Sequence, residues 1–136
     1  MRVFLDTNVL VSAFAARGLC ADLLRLVIGE HVLLTGAVNL VELRRVLTER
    51  LAAPPEVVAL VERSLSLAEI VPKPSAVLSI DVRDADDAWV LASAVAGDAA
   101  MLVTGDQDLL VLGAAAPLPI VTPREAWICL RGMDIR

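Results

Sequence analysis

Carboxylates recur at four separated places in this chain, each just past an apolar run or at a helix start. They are Asp6 in Leu5-Asp6-Thr7-Asn8, Glu42 in Val41-Glu42-Leu43, the run Asp84/Asp86/Asp87, and the pair Asp106/Asp108. Asp6 and Asp106 each follow a short β-like run, Arg2–Leu5 and Ala100–Thr104. In an open parallel sheet the carboxyl ends of the strands line the ligand crevice, so acids far apart in sequence can meet there. Converging carboxylates repel, and a hard divalent cation with oxygen ligands is the usual remedy. Such an ion, Mg²⁺ or Mn²⁺, lowers the pKa of a bound water and stabilises charge growing on a phosphoryl oxygen. One histidine, His31 at a strand start, and two cysteines without metal spacing leave no zinc set.

Each acid also has a plainer role open to it. Asp6 suits the N-cap of the helix that follows, and Asp106 suits the cap of Gln107–Leu112. Asp84 with Asp87 makes a serviceable cap, since acids in a first turn are favoured by the helix dipole. A cap needs only one acid, so three within four residues imply a further partner, and Asp87, nearest the helix body, is the expected one. On a helical wheel Glu42 lies nearly opposite Leu40, Leu43, Leu47 and Leu51, close to Glu49, a position that suits solvent. Val38 and Val46 flank it one turn away, so that face is partly covered. One pocket would account for all four places.

The elements that must position these acids alternate. Strands are expected at Arg2–Leu5, His31–Leu34, Glu69–Val71, Met101–Thr104 and Pro119–Val121. Helical patterns begin near Val9 and run from about Leu19 to Ile28, from Ala37 to Leu51 and from Pro55 to about Leu67. A further helix opens at Asp84 and closes at Gly97, and a short one covers Gln107–Leu112. Thr122-Pro123-Arg124-Glu125 is a capping box with Pro at the first helical position, starting a terminal helix. Ala76–Ile80 fits either loop or a short helical turn. Most strands are continuous apolar runs, which indicates a parallel sheet buried between helices.

Composition narrows the class. A length of 136 residues fits one domain, residues 1–136, able to bury a core without staples. The hydrophobic share of 57% is high for a water-facing chain, where roughly 45–50% is usual. A sheet covered on both faces or a partner interface explains it. A membrane span does not, because the longest uncharged stretch, Leu109–Pro123, contains three prolines and falls short of roughly 20 residues. No basic-then-apolar leader precedes the first strand, so the cytoplasm is the expected compartment. Cys20 and Cys129 are expected as buried free thiols. A net charge of −5, with Lys73 the single lysine among twelve cations, makes a poor general polyanion binder. Nucleic acid fits only if the acids gather in one metal-filled pocket, with arginines gripping phosphates locally.

These residues resemble the PIN domain family of ribonucleases. The likeness rests on Leu5-Asp6-Thr7-Asn8-Val9-Leu10, the Glu42-Leu43 helix, Asp87-Ala88-Trp89-Val90-Leu91-Ala92-Ser93-Ala94 and Val103-Thr104-Gly105-Asp106-Gln107-Asp108-Leu109. More narrowly the chain looks like the VapC-type toxins, some of which carry an Arg-Asp-x-Asp-Asp run and a closing Thr-Pro-Arg-Glu, as Arg83–Asp87 and Thr122–Glu125 do here. The resemblance implies a three-layer α/β/α sandwich around a mostly parallel sheet. It implies Mg²⁺- or Mn²⁺-dependent endonucleolytic cleavage of RNA, a homodimer, and inhibition by a cognate antitoxin. The family's acids fall on Asp6, Glu42, Asp87 and Asp106, with Asp6, Asp87 and Asp106 as metal ligands. Asn8, Thr104 and Asp108 occupy supporting positions. Which of Asp84, Asp86 and Asp87 faces the metal is left open by the motif. One departure is Ala88, where the narrower group often has a further Asp. Arg44 and Arg45 are candidates for phosphate contact or plain solvated arginines, and Trp89 either stacks a base or packs in the core. The apolar run Val57–Val61 suits a groove for an antitoxin helix or a dimer mate.

Other classes fit less well. A phosphoacceptor receiver would pair acids at the end of strand 1 and place its Lys-Pro after a late strand, whereas Asp6 stands alone and Lys73-Pro74 is mid-chain. A haloacid-dehalogenase-like phosphatase needs an Asp two positions after the first, where Asn8 stands. The main alternative is a catalytically silent module of the same fold that binds RNA or a partner, with the acids serving as caps.

Overall fold

The computed structural model describes residues 1–134. The short apolar runs form one parallel sheet of five strands: β1 (Arg2–Leu5), β2 (Val32–Gly36), β3 (Glu69–Val71), β4 (Met101–Val103) and β5 (Ile120–Val121). Their spatial order is β3-β2-β1-β4-β5. The chain therefore builds outward from β1 in one direction, then returns to its other side. The reversal lies between β1 and β4, where Val3, Phe4 and Leu5 pair with Met101, Leu102 and Val103. This is the point at which an open α/β sheet parts its loops into a crevice.

Helices cover both faces, giving an α/β/α sandwich, because alternate strand residues must each find apolar partners. On one face Val3, Leu5, Leu33, Met101 and Val103 pack with α1 (Thr7–Ala15), α2 (Leu19–Glu30), α3 (Ala37–Arg45), α4 (Pro55–Ser64) and α7 (Pro123–Asp134). On the other, Phe4, Leu34, Val71 and Leu102 pack with Val90, Leu91 and Ala94 of α5 (Ala85–Ala96) and Leu109 of α6 (Gln107–Leu110). Fully burying one such side chain contributes roughly 1.5–3 kcal/mol, so the two layers carry the sheet. No helix among the described residues is long and apolar enough to cross a membrane.

Local differences from the sequence expectations have identifiable causes. Helix α1 begins at Thr7 rather than near Val9, because the Asp6 carboxylate accepts the Thr7 N–H at 2.7 Å. The helix expected through Leu51 loosens after Arg45 into a π-helical turn, Val46–Arg50. That change of period rotates Leu51 off the leucine stripe, leaving it 49% exposed while Leu43 and Leu47 are buried. Ala76–Ile80 is loop, and α6 stops at Leu110 before a 3₁₀ turn at Gly113–Ala115. Cys20 and Cys129 are free thiols, but Cys20 is half-buried and Cys129 exposed, not buried as expected. The capping box is formed as read: Thr122 Oγ1 accepts from Glu125 N at 3.1 Å, and Glu125 Oε1 accepts from Thr122 N at 2.9 Å.

Candidate active site

At the switch point the ends of β1 and β4 build a knot of hydrogen bonds around Asp6. The Asp6 N–H extends the β1–β4 ladder to Val103 O at 3.0 Å, which turns its side chain into the crevice. Oδ1 accepts from Thr7 N at 2.7 Å and from Asn39 Nδ2 at 2.9 Å. Oδ2 accepts from Thr104 Oγ1 at 2.8 Å and from Asn8 Nδ2 at 3.1 Å. An ionised carboxylate offers about four acceptor sites, and protein donors occupy all of them. Burial, opposed by these donors and abetted by the nearby Asp106 charge, still pushes the Asp6 carboxyl up from its ordinary value. Desolvation outweighs the donors here.

Asn8 and Thr104 fix the facing loop as well. Asn8 Oδ1 accepts from Gly105 N at 2.9 Å, and Thr104 Oγ1 accepts from Asp106 N at 3.0 Å. Thr104 thereby ties the first acid to the last. Asn39, which the sequence reading missed, is fully buried and bridges Asp6 to Thr7 Oγ1 at 3.0 Å and to Gly36 N at 3.2 Å. A side chain at Gly36 would place its Cβ 2.8 Å from Asn39 Oδ1, so the bridge requires glycine there. The available signal was an amide inside the apolar run Ala37-Val38-Asn39-Leu40-Val41, three residues past the helix cap.

The second half of the site comes from the starts of α5 and α6. Asp84 caps α5, accepting from Asp86 N at 2.8 Å, and Asp106 caps α6, accepting from Asp108 N at 2.9 Å. The cap readings of both are thus correct, and they coexist with a gathering of charge. Asp87 is 8% exposed, and its Oδ2 is buried without a hydrogen-bond partner among the described residues. Burial, contact with the Asp106 carboxyl and the charges of Asp84 and Asp6 push its pKa up to about 8. Asp84, Asp87 and Asp108 each offer an oxygen within 4.8 Å of the other two. Asp86, by contrast, is exposed and faces Glu42. Among the three acids of this run, Asp87 is the one turned inward.

Glu42 is half-buried, unlike the solvent position its helical wheel suggests, and shares a cleft with Trp89 and Lys73 from other elements. Burial and then the charges of Asp6 and Asp86 raise its pKa. Asp87 thus lies within electrostatic reach of Asp106 and Asp6, and Glu42 within reach of Asp6. Asp108 stands at the edge, its Oδ1 4.0 Å from Arg83.

This all-oxygen set suits a hard divalent cation such as Mg²⁺ or Mn²⁺. The orphaned, buried Asp87 oxygen is the observation that fits, since a lone buried carboxylate is costly without a positive neighbour.

An acid-lined crevice at the switch point of a parallel α/β/α sandwich marks a known class of domain. The PIN domain model matches residues 2–108, which is most of the chain, and the chain belongs to the PIN domain family. PIN domains are generally nucleases. Among solved structures, one similar in fold is VapBC2 from Rickettsia felis bound to a DNA fragment from its promoter. It has a TM-score of 0.64 and 17% identity, over 90% of this chain and 98% of that one. No curated protein matches the chain.

Proposed function

We propose that this PIN domain is a metal-dependent endoribonuclease and the toxin of a toxin–antitoxin pair, with all 136 residues in one domain. The observation that carries the catalytic part is the buried, unpartnered Asp87 oxygen beside Asp106, Asp84 and Asp6. Asp87 and Asp106 would hold Mg²⁺ or Mn²⁺ together with Asp84 and Asp108, whose oxygens lie within 4.8 Å of one of Asp87. Asp6, whose oxygens already accept four donors, would add an oxygen only by sharing it. A bound divalent ion supplies a Lewis acid that acidifies water and offsets charge on a phosphoryl oxygen.

The chain's own residues do the remaining work. Asp6, held by donors on every side, fixes the geometry of the crevice, and Thr104 and Asn8 hold Asp106 in register with it. Glu42, with its pKa raised, stands where it can take a proton from water approaching a phosphodiester. Arg45, beside Glu42 in the same cleft, offers a guanidinium for the substrate's phosphates.

The toxin role, the antitoxin partner and a homodimer draw support from the fold likeness to VapBC2 and from exposed apolar side chains such as Val57 and Leu60 on α4. The test is cleavage of single-stranded RNA. The parent cuts in Mg²⁺ or Mn²⁺ and stops with chelator, and Asp6→Asn and Asp106→Asn do not cut. Activity that survives chelator, or persists in both variants, would falsify this reading and leave the silent binding module.

A further inference from the structure

The cleft beside Glu42 has a wall that acid chemistry leaves unused. Val38 and Val90 line it together with Trp89, and Glu42 and Asp86 bring two carboxylates into the same lining. Arg45 and Lys73 complete it. Lys73 is the only lysine of the chain and sits between Pro72 and Pro74, whose rings restrict the backbone on both sides. Its ammonium lies 4.4 Å from the centroid of the Trp89 ring and has no carboxylate partner among the described residues. Arg45 is exposed and only loosely paired, 3.9 Å from Glu49, so it is free to turn toward an anion.

Trp89 is half-buried although its helix neighbours Val90 and Leu91 are core. A ring with an ammonium over its face and a guanidinium in the same cleft offers the two contacts that a nucleotide takes, once the ammonium turns from the ring to a phosphate. Bases stack on aromatic faces without regard to sequence, and phosphates pair with Lys and Arg. The volume of about 220 Å³ is below the roughly 300–1,000 Å³ typical of drug-sized ligands, which suits one flat ring system. In a chain of net charge −5, attraction for RNA must come from such a local pairing and not from the overall field.

We propose that this cleft is a single-nucleotide subsite, where one base of single-stranded RNA takes the place of the Lys73 ammonium over Trp89 while Lys73, released from the ring, and Arg45 hold its phosphate. The inference rests on the ribonuclease reading for its place beside the scissile bond, but binding can be measured apart from cleavage. Trp127→Phe leaves Trp89 as the single tryptophan reporter. Titrated in chelator with a short single-stranded oligoribonucleotide, its fluorescence is expected to quench saturably. Adding Lys73→Gln weakens that binding by roughly tenfold, the scale of one stacked base or phosphate contact.

With metal present, Trp89→Leu and Lys73→Gln raise KM by about fivefold or more with kcat nearly unchanged, and Trp89→Phe recovers most of the loss. Absence of quenching, equal binding in Lys73→Gln, or competition by inorganic phosphate as strong as by the oligonucleotide overturns the subsite. A parent that cuts RNA while both subsite variants keep their KM overturns it too, leaving the nuclease intact. A parent that cuts nothing yet quenches in a Lys73-dependent way retains the subsite and removes the nuclease.

Discussion

The two halves of the acid crevice are built on opposite principles. Around Asp6, at the ends of β1 and β4, four protein donors meet one carboxylate and every buried polar atom has a partner. Around Asp87, at the starts of α5 and α6, carboxylates meet carboxylates and one buried oxygen has none among the described residues. The first half is complete as folded; the second is short of a positive charge. A sheet can fix a residue through its ladder and neighbouring loops, so it makes a rigid anchor. Two helix starts can each present an acid at small cost, because the dipole favours it, and so they gather charge that a proton or a cation relieves.

The largest expected effect breaks the second half. Asp87→Asn or Asp106→Asn should lower RNA cleavage by at least roughly 10²–10³, the loss seen when one preorganised stabiliser of developing charge is removed. Asp87→Asn should at the same time raise the metal-free melting temperature near neutral pH, since the amide needs no proton taken up to sit beside Asp106. A gain of about 1 kcal/mol corresponds to roughly 4 °C at this size. A variant both inactive and less stable than the parent would argue against repulsion as the dominant force there.

The first half should respond in the other sense. Asn39→Leu strips a donor from Asp6 Oδ1 and from Thr7 Oγ1 and an acceptor from Gly36 N. Asp6 Oδ1 keeps Thr7 N, but Gly36 N loses its acceptor, and one buried group left unpaired costs about 1–3 kcal/mol, so urea denaturation should show a loss of that order. Thr104→Val should act similarly by removing one of the two donors to Asp6 Oδ2 and the acceptor of Asp106 N. Unchanged midpoints for both would mean the knot is not what holds the strand ends.

Protonation separates the halves more gently. The folded Asp87 carboxyl is raised to about 8 from an ordinary 3.8, so the native state holds a proton that the unfolded chain has released. Metal-free stability should therefore fall as pH climbs from near 4 toward 8 and level off above that. Asp6 and Glu42 are shifted the same way and add to the slope. Saturating Mn²⁺ should flatten it, because the ion takes the place of the proton; denaturation midpoints across this range would show it. The smallest effect is expected for Asn8→Ala, below about 1 kcal/mol, since its 3.1 Å bond to Asp6 is only part-buried and water can replace it.

Much of this division was legible in the residues. The apolar runs ending in Asp6 and Asp106 marked two strands whose acids could meet, and the alternation of elements marked the parallel sandwich; that the two strands are neighbours came from the structure. The excess of acids over what a cap requires pointed to Asp87. Three-dimensional neighbours supplied the rest. Glu42 looked solvent-facing because a helical wheel contains no Trp89 or Lys73. Asn39 went unnoticed because its partners lie on two other elements. The π-helical turn that releases Leu51 leaves no mark in the leucine spacing.

The account stands or falls on the inward-facing Asp87 as part of a cation site. The direct measurement is calorimetric titration of the metal-free protein with Mn²⁺ above pH 8, parent against Asp87→Asn. The expected result is one saturable site in the parent, weakened in the variant by at least roughly 10–100-fold, a loss that even outer-sphere changes can cause. Equal affinity in the two proteins would contradict it.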